Sequence, residues 1–567
     1  MSTITVNDGM DNTLRECLNK GNKLILNNNM KINIHSEFLI KDNVEIDGNG
    51  STLIAKNCRH FNIKKGATLT LKNLILTNGK ENFGGSIYSN LPTNTIILNN
   101  VEILNNEAMY GGGIFTLGSL IVENSRINNN IAQKQGGGLW CAKNLTLLNS
   151  TINNNKVERI SNNNFAGGAY VDDGNVALND SQINNNLVSF NDNNGGYCGG
   201  IMINSGSLTL NNSTINNNKS FSSAGVQMGT GDINLFGSSI SDNNSYITGT
   251  NCGGGGIVIM NGNVYAERSK ITNNITKGMY SGSLVSFIGN VTISDSEISG
   301  NVNRGPGGGI ACNFNSDVLI KNSKIINNTG ASLGGGIVNF SDKDGSISVN
   351  NSEISNNILT NYQTIGETLD AFLSVVMSSI KDNTNNSKSV QKIHPESTGA
   401  TKLLSVLSNL ESLANKHNLT LQKISNIHNS TGGGGIATLL RCAININNSK
   451  LNGNNITKDT TGRKSLAFGG ALFSINSVSS IIKTTIMDNL SNYEAAAIYN
   501  NDKLSITSTK IVKNKSKKGK TIINTNNGVM YINNSLFVNN DDIDIYNDGI
   551  LTLYQTRANV EGNVIEL

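Results

Sequence analysis

Only three prolines, one tryptophan and five histidines occur in 567 residues, aromatic side chains make up 5% and charged ones 15%. So few charges exclude a long charge-laced helical protein, while 37% hydrophobic residues exclude a polar disordered linker. The formal net charge is +4, with acids and bases interspersed, so the basic footprint of a nucleic-acid binder is missing. The one basic cluster, Lys513, Lys515, Lys517, Lys518 and Lys520, reads as a solvated loop. No apolar run approaches the ~20 residues of a membrane span. The opening MSTITVNDGMDNTLREC has no basic segment followed by an apolar core, so no secretory signal is expected. Seven cysteines, odd in number and without close pairing, do not form a disulfide framework. They are expected to be reduced and mostly buried, which suits the cytoplasm or a particle such as a virion.

What is abundant is glycine, 60 residues of it, and asparagine, both arranged in a repeat. The stretch GGGIFTLGSLIVENSRINNN (111–130) returns with small changes along the chain. With the last apolar residue of NSRI as marker, the series runs Leu76, Ile103, Ile127, Ile152, Ile183, Ile215, Ile240, Ile271, Ile298, Ile325 and Ile354. It resumes at Leu451, Ile486, Ile511, Phe537 and Ala558, and most intervals are 24 to 32 residues, the period of a solenoid. Within a copy the alternation has period two: Ile114 with Thr116, Leu120 with Val122, Ser125 with Ile127. Parity slips between Val122 and Ser125, so the chain turns at Asn124. The equivalent positions hold Asn149, Asp180, Asn212, Gly237, Asp295, Asn322, Asn351, Asn448 and Asn534, types that tolerate a left-handed backbone; Arg268 and Lys483 depart from the pattern.

Three strands per turn with such corners describe an all-β right-handed parallel β-helix solenoid of about sixteen rungs, stacked at ~4.8 Å. A leucine-rich horseshoe and a calcium-binding β-roll are excluded, since neither the L-x-x-L-x-L spacing nor a G-G-x-G-x-D series is present. On the outward position before the marker, Lys270, Glu297, Lys324 and Glu353 alternate in sign, as favourable stacking requires. The chain divides into a cap and first rungs (1–60), repeats (61–354), a mostly α-helical insertion (355–431), and repeats with a C-terminal cap (432–567). Within the insertion, 368–380 and 400–417 have apolar residues at helical spacing, for instance Leu403, Leu404, Leu407, Leu410 and Leu413. It reads as a lid or clamp on the solenoid, with a partner-binding module as the alternative.

Candidate chemistry is sparse. In GGAYVDDG, Asp172 should point outward and Asp173 should sit at the following bend, a pair that could divide acid and base roles. They are weak catalytic candidates, since two acids at a turn are common. SDKDG (341–345) offers too few oxygens for calcium, so no metal and no cofactor are expected. Cys141 and Cys312 fall on inward positions as small fillers. The outward residue after each Gly-rich start is more informative: Tyr88, Phe115, Trp140, Tyr170 and Met202, then small residues through Val258, Val285, Ala311, Val338 and Ala437, then Phe473, Tyr499 and Met530. An aligned aromatic stripe of this kind stacks on sugar rings or anchors a protein interface, unless a turn, the insertion or an oligomer partner covers it. The small central residues would suit a surface covered by the inserted helices.

The GGGI, GGGL, GGAY and GGAL starts followed by I-x-N-N resemble the repeats of polymorphic outer membrane proteins and adhesin-like β-helix proteins. TVNDGMDNTLRECLNKGNKLIL followed by NVEIDGNGSTLI is similar to the capping segment of pectate-lyase-like helices. The resemblance covers most of the chain outside 355–431 and implies the parallel β-helix fold. It implies adhesins, virion fibres and polysaccharide-cleaving enzymes alike. The chain departs from the exported families in having no visible signal peptide or C-terminal membrane barrel. No His-Gly or Asn-Thr-Asp element is present, and the histidines (His35, His60, His394, His417 and His428) lie in the cap or insertion. The expected function is therefore a non-catalytic rod, adhesin-like or part of a surface or virion, presenting the stripe of Tyr88, Phe115, Trp140, Tyr170, Met202, Phe473 and Tyr499 to carbohydrate or protein. The alternatives are a carbohydrate-active enzyme and a homo-oligomeric fibre that buries the stripe.

Overall fold

A computed structural model describes residues 3–566 apart from 65, 161–163, 192–194, 247–252, 278–282, 315, 342–344, 361–380, 382–383, 386, 389, 393, 395–396, 422–429, 440 and 458–465. It is a nearly all-β parallel solenoid of about sixteen turns with a few helices. The residues group into two units, Met1–Tyr246 with Lys381–Leu407, and Ile247–Ile380 with Ser408–Leu567.

One turn shows how the repeat folds. After Gly111–Gly113 come the strands Ile114–Thr116, Ser119–Glu123 and Arg126–Asn128, each hydrogen-bonded in parallel to its counterparts one turn away. A fourth strand, Ile131–Gln135, adds to the three expected and pairs in a separate sheet. Ile114, Leu120, Val122 and Ile127 are fully buried, so alternate residues fill the coil as the period-two pattern requires. The markers stack as read: Leu76 on Ile103, Ile127 and Ile152 in the first unit, and Ile271 through Ile298, Ile325 and Ile354 to Leu451 in the second. Ile354 pairing with Leu451 means the insertion leaves the register unbroken. The outward Lys270, Glu297, Lys324 and Glu353 are successive neighbours, as their charges require.

Asn124 has φ 49°, and the equivalent Asn, Asp and Gly residues are likewise left-handed. A second left-handed corner follows, at Asn129, Asn154, Asn185 and Asn217 in the first unit. The asparagine after it points inward. Asn106, Asn130, Asn155, Asn186, Asn218 and Asn243 form a buried ladder, as do Asn274, Asn301, Asn328 and Asn357 in the second unit. In each step one amide oxygen accepts from both the backbone N–H and the side-chain amide of the preceding asparagine, as Asn130 does from Asn106 at 3.0 and 2.9 Å. Its own Nδ2 donates to a marker carbonyl, Ile103 O at 2.9 Å. Only a short side chain with donor and acceptor on one planar group satisfies all these partners at rung spacing. A hydroxyl ladder, Ser125, Ser150, Ser181, Ser213 and Ser238, does the same at the first corner, each oxygen accepting the previous N–H at 3.0 Å.

Arg268 (φ 47°) and Lys483 (φ 49°) occupy the same left-handed corner against their residue preference. For such side chains this conformation costs roughly 1–2 kcal/mol, which asparagine largely avoids. Lys483→Asn is therefore expected to stabilise the C-terminal unit by about 1 kcal/mol in urea unfolding; an unchanged or lower midpoint would refute the strain argument.

At the N-terminal end the helix Asp11–Lys20 buries Leu14, with Asp11 in its first turn and Lys20 in its last, as the helix dipole favours. In the same unit His60 is wholly buried between the Ser86 hydroxyl and the Leu53 carbonyl, each 3.0 Å from a ring nitrogen.

Candidate functional site

In the first unit the stripe stands in register: Asn62, Tyr88, Phe115, Trp140, Tyr170, Met202 and Gln227 are successive cross-strand neighbours. Phe115 stacks on Trp140 at 4.5 Å and Trp140 on Tyr170 at 5.6 Å, while Tyr88 tilts against Phe115 at 5.8 Å. These side chains leave the coil as expected, but most do not reach solvent. Phe115 is 2% exposed and Trp140, Tyr170 and Met202 are fully buried. The exposure read from alternation is therefore corrected for this stretch, because period two reports only which side of a strand a residue takes. Residues from the Gly-rich connections, Tyr110, Phe165 and Tyr197, pack over the stripe, and so do Val390 and Ala400 of the insertion. His394 meets Trp140 edge-on at 6.5 Å. Val390, Ala400 and Leu403 of the insertion thus lie over the aromatic stretch and Gly229.

Asp172 and Asp173 hold that segment in place. Ser397 caps the helix Thr398–Leu421, its Oγ accepting the Ala400 N–H at 2.9 Å and donating to Asp172 Oδ2 at 2.5 Å. Asn204 Nδ2 donates to Asp172 Oδ1 at 3.1 Å. Thr398 Oγ1 donates to Asp173, and Lys402 Nζ lies 2.9 Å from its other oxygen. Two carboxylates at a helix N-terminus meet the positive end of its dipole. Gly399 packs so closely that a Cβ there would lie 2.0 Å from the Asp172 carbonyl oxygen. Burial pushes the Asp172 carboxyl up, partly offset by Ser397 and Asn204. Burial also opposes ionisation of Asp173, but its bonds from Thr398, Lys402 and Ser205 outweigh that and hold it below the ordinary range. Asp172 is 1% exposed, so in this arrangement the pair seats a helix and does not face an open groove. The signal in sequence was STGA, a serine cap at the helix start.

The uncovered end of this stripe is at Tyr88, which is half-buried. The Arg59 guanidinium sits 4.8 Å from the Tyr88 ring centre, and Lys64 Nζ 5.9 Å from it. Arg59 also meets two carboxylates, Glu37 Oε2 at 2.6 Å and Glu81 Oε2 at 3.5 Å. Asn62 Nδ2 donates to Glu37 at 2.7 Å. Glu37 lines a groove of about 770 Å³ with Arg15, Leu39, Lys41 and Asp42 beside the capping helix. Sequence reading missed this group because Glu37 and Arg59 lie in the irregular first rungs, before the Gly-rich starts that set the register, and Glu81 lies on the fourth strand that a three-strand turn does not contain.

In the second unit Val258, Val285, Ala311, Val338, Ala437, Phe473 and Tyr499 are successive neighbours as read. The next positions are Ile523 and Tyr546, not Met530, which points inward and is 1% exposed. The Gly-rich start is lost in these last turns, so the parity count slipped. Phe473 is buried and stacks on Tyr499 at 5.1 Å; Tyr499 and Tyr493 are half-buried, and Phe468 joins them at 4.8 and 5.7 Å.

No family model matches the chain, and no curated protein or solved structure matches it either. The resemblance to polymorphic outer membrane protein and pectate-lyase-like repeats thus rests on residue pattern, and the β-helix it implies is the fold observed.

Cys141 and Cys312 are fully buried, and burial pushes both thiols up, Cys141 to about 12, which keeps them protonated and unreactive. Of SDKDG, residues 342–344 lie outside the described residues. Among the described residues no group of three or more His, Cys, Asp or Glu is placed to hold a metal, and no helix is long and apolar enough to cross a membrane.

Proposed function

We propose that this chain is a non-catalytic β-solenoid scaffold of the adhesin or structural surface or virion type, binding carbohydrate or protein at the uncovered aromatic ends around Tyr88 and Tyr499. The observation that carries this reading is the seated insertion. The one outward acid pair in the repeats that sequence marks for catalysis, Asp172 and Asp173, spends its hydrogen-bonding capacity on Ser397, Thr398 and Lys402. Half-exposed aromatic rings flanked by Arg59, Lys64 and Asn62 fit sugar rings and their hydroxyls.

A second reading, a carbohydrate-active enzyme, is favoured by Glu37 and Glu81 converging with Arg59 at the same open end. A glycan array combined with a reducing-end assay on the bound glycans separates the two. Binding without new reducing ends, weakened about tenfold or more by Tyr88→Ala, is the expected result. Release of reducing ends, abolished by Glu37→Gln or Glu81→Gln, would overturn the scaffold in favour of the enzyme. No binding to any glycan would leave protein as the partner class.

A further inference from the structure

We infer that the C-terminal unit carries a separate site for an acidic glycan, in the groove between Leu490–Asn492 and Lys515–Lys517. This deepens the binding reading above and rests on it. Residues 483–520 hold eight lysines against three acids, an excess larger than the net charge of the entire chain. The fold gathers part of that excess into a groove of about 430 Å³, lined by Lys515, Lys517, Ser491, Asn492, Ser516 and Thr457 with no carboxylate among its walls. Both lysines are exposed, and among the described residues neither has a carboxylate within ion-pair distance. Asp541, which feels the charge of Lys515, is occupied by the N–H and hydroxyl of Ser516 at 2.7 and 2.8 Å.

A basic groove alone would accept any polyanion, and three observations narrow the ligand. The walls mix two cations with several hydroxyl and amide groups, which suits a sparsely charged, hydroxyl-rich polymer. Acids stand close by, Glu494 paired with Lys520 at 3.7 Å and Asp541 behind Ser516, and they would repel a backbone bearing one phosphate per residue. Aromatic rings continue from the groove: Lys518 Nζ lies 5.5 Å from the centre of the Tyr493 ring, and Tyr493 leads through Phe468 to Tyr499. Carboxylates or sulfates would pair with Lys515 and Lys517 while sugar faces rest on Tyr493 and Tyr499.

Dextrans bearing one carboxymethyl or one sulfate group per several glucose units, with unmodified dextran and a single-stranded oligonucleotide as comparators, test this on the full chain. Expected are binding of the two charged dextrans only, and a loss of at least about tenfold in Lys515→Ala/Lys517→Ala with an unchanged unfolding midpoint. Lys515→Arg/Lys517→Arg should retain most of the affinity. Equal binding of plain dextran, equal or tighter binding of the oligonucleotide, or no binding at all would overturn the site. If the charged dextrans bind but respond to Tyr88→Ala and not to the lysine variants, this site fails while the proposed binding function stands.

Discussion

Asn186→Ala is expected to destabilise the N-terminal unit by about 3–5 kcal/mol. The Asn186 Oδ1 accepts from the backbone and side chain of Asn155 at 2.9 and 3.1 Å, and its Nδ2 donates to Ile152 O and Asn218 Oδ1 at 2.9 and 3.0 Å. Alanine leaves two donors and a carbonyl without partners in the core, each costing ~1–3 kcal/mol, and opens a void between rungs. Trp140, the only tryptophan, is buried in the same unit and reports the transition by fluorescence during urea unfolding. The neighbouring corner residue supplies the control. Asn185 has φ 57°, so Asn185→Gly should be close to neutral. A loss below about 1 kcal/mol for Asn186→Ala would mean that the ladder is ornamental and that apolar stacking alone holds the rungs.

Mild acid is expected to weaken the same unit through His60. Burial lowers its pKa from 6.5 to about 4, against weaker opposing help from the Leu53 and Thr77 carbonyls. The unfolded chain binds this proton near pH 6.5, whereas the folded one refuses it until about pH 4. Stability from this group is thus complete above pH 6.5 and is lost as pH falls from 6.5 towards 4, amounting to roughly 3 kcal/mol. Carboxylates titrate across part of that window, so the decisive quantity is the difference between the wild type and His60→Gln. The variant should start less stable and lose less between those pH values. Parallel curves for the two proteins would show that His60 is not the acid-sensitive group.

Much of this architecture was legible because the repeat writes it many times. Marker spacing placed Ile127 against Ile103 and Ile152, and the parity slip placed the corner at Asn124, which is left-handed. Where the Gly-rich start fades the pattern no longer fixes the register, and it points to Met530 where the structure has Ile523. The inward second asparagine of I-x-N-N also went unread, since polarity suggests surface, and only its stacked partners make burial tolerable. Alternation gives the direction of Trp140 and Tyr170 but not what lies over them. That information sits in STGATKLL, and its pairing with VDDG is a long-range fact that no local pattern encodes. Of the expected helices, 400–417 lies within Thr398–Leu421, while 368–380 is outside the described residues.

The seat of the insertion has a consequence for the order in which the protein can assemble. Neighbouring rungs join residues a few tens apart, as Asn130 and Asn155 do at 25, but Ser397 reaches Asp172 across 225. During synthesis at about 5–20 residues per second, roughly ten to forty-five seconds separate the emergence of the two partners. The rungs bearing Trp140 and Tyr170 can stack well before their cover exists, since they need only local closure. For that interval the newborn chain shows the cell an aromatic wall that the finished protein conceals, and crowded synthesis is when two copies would find each other's.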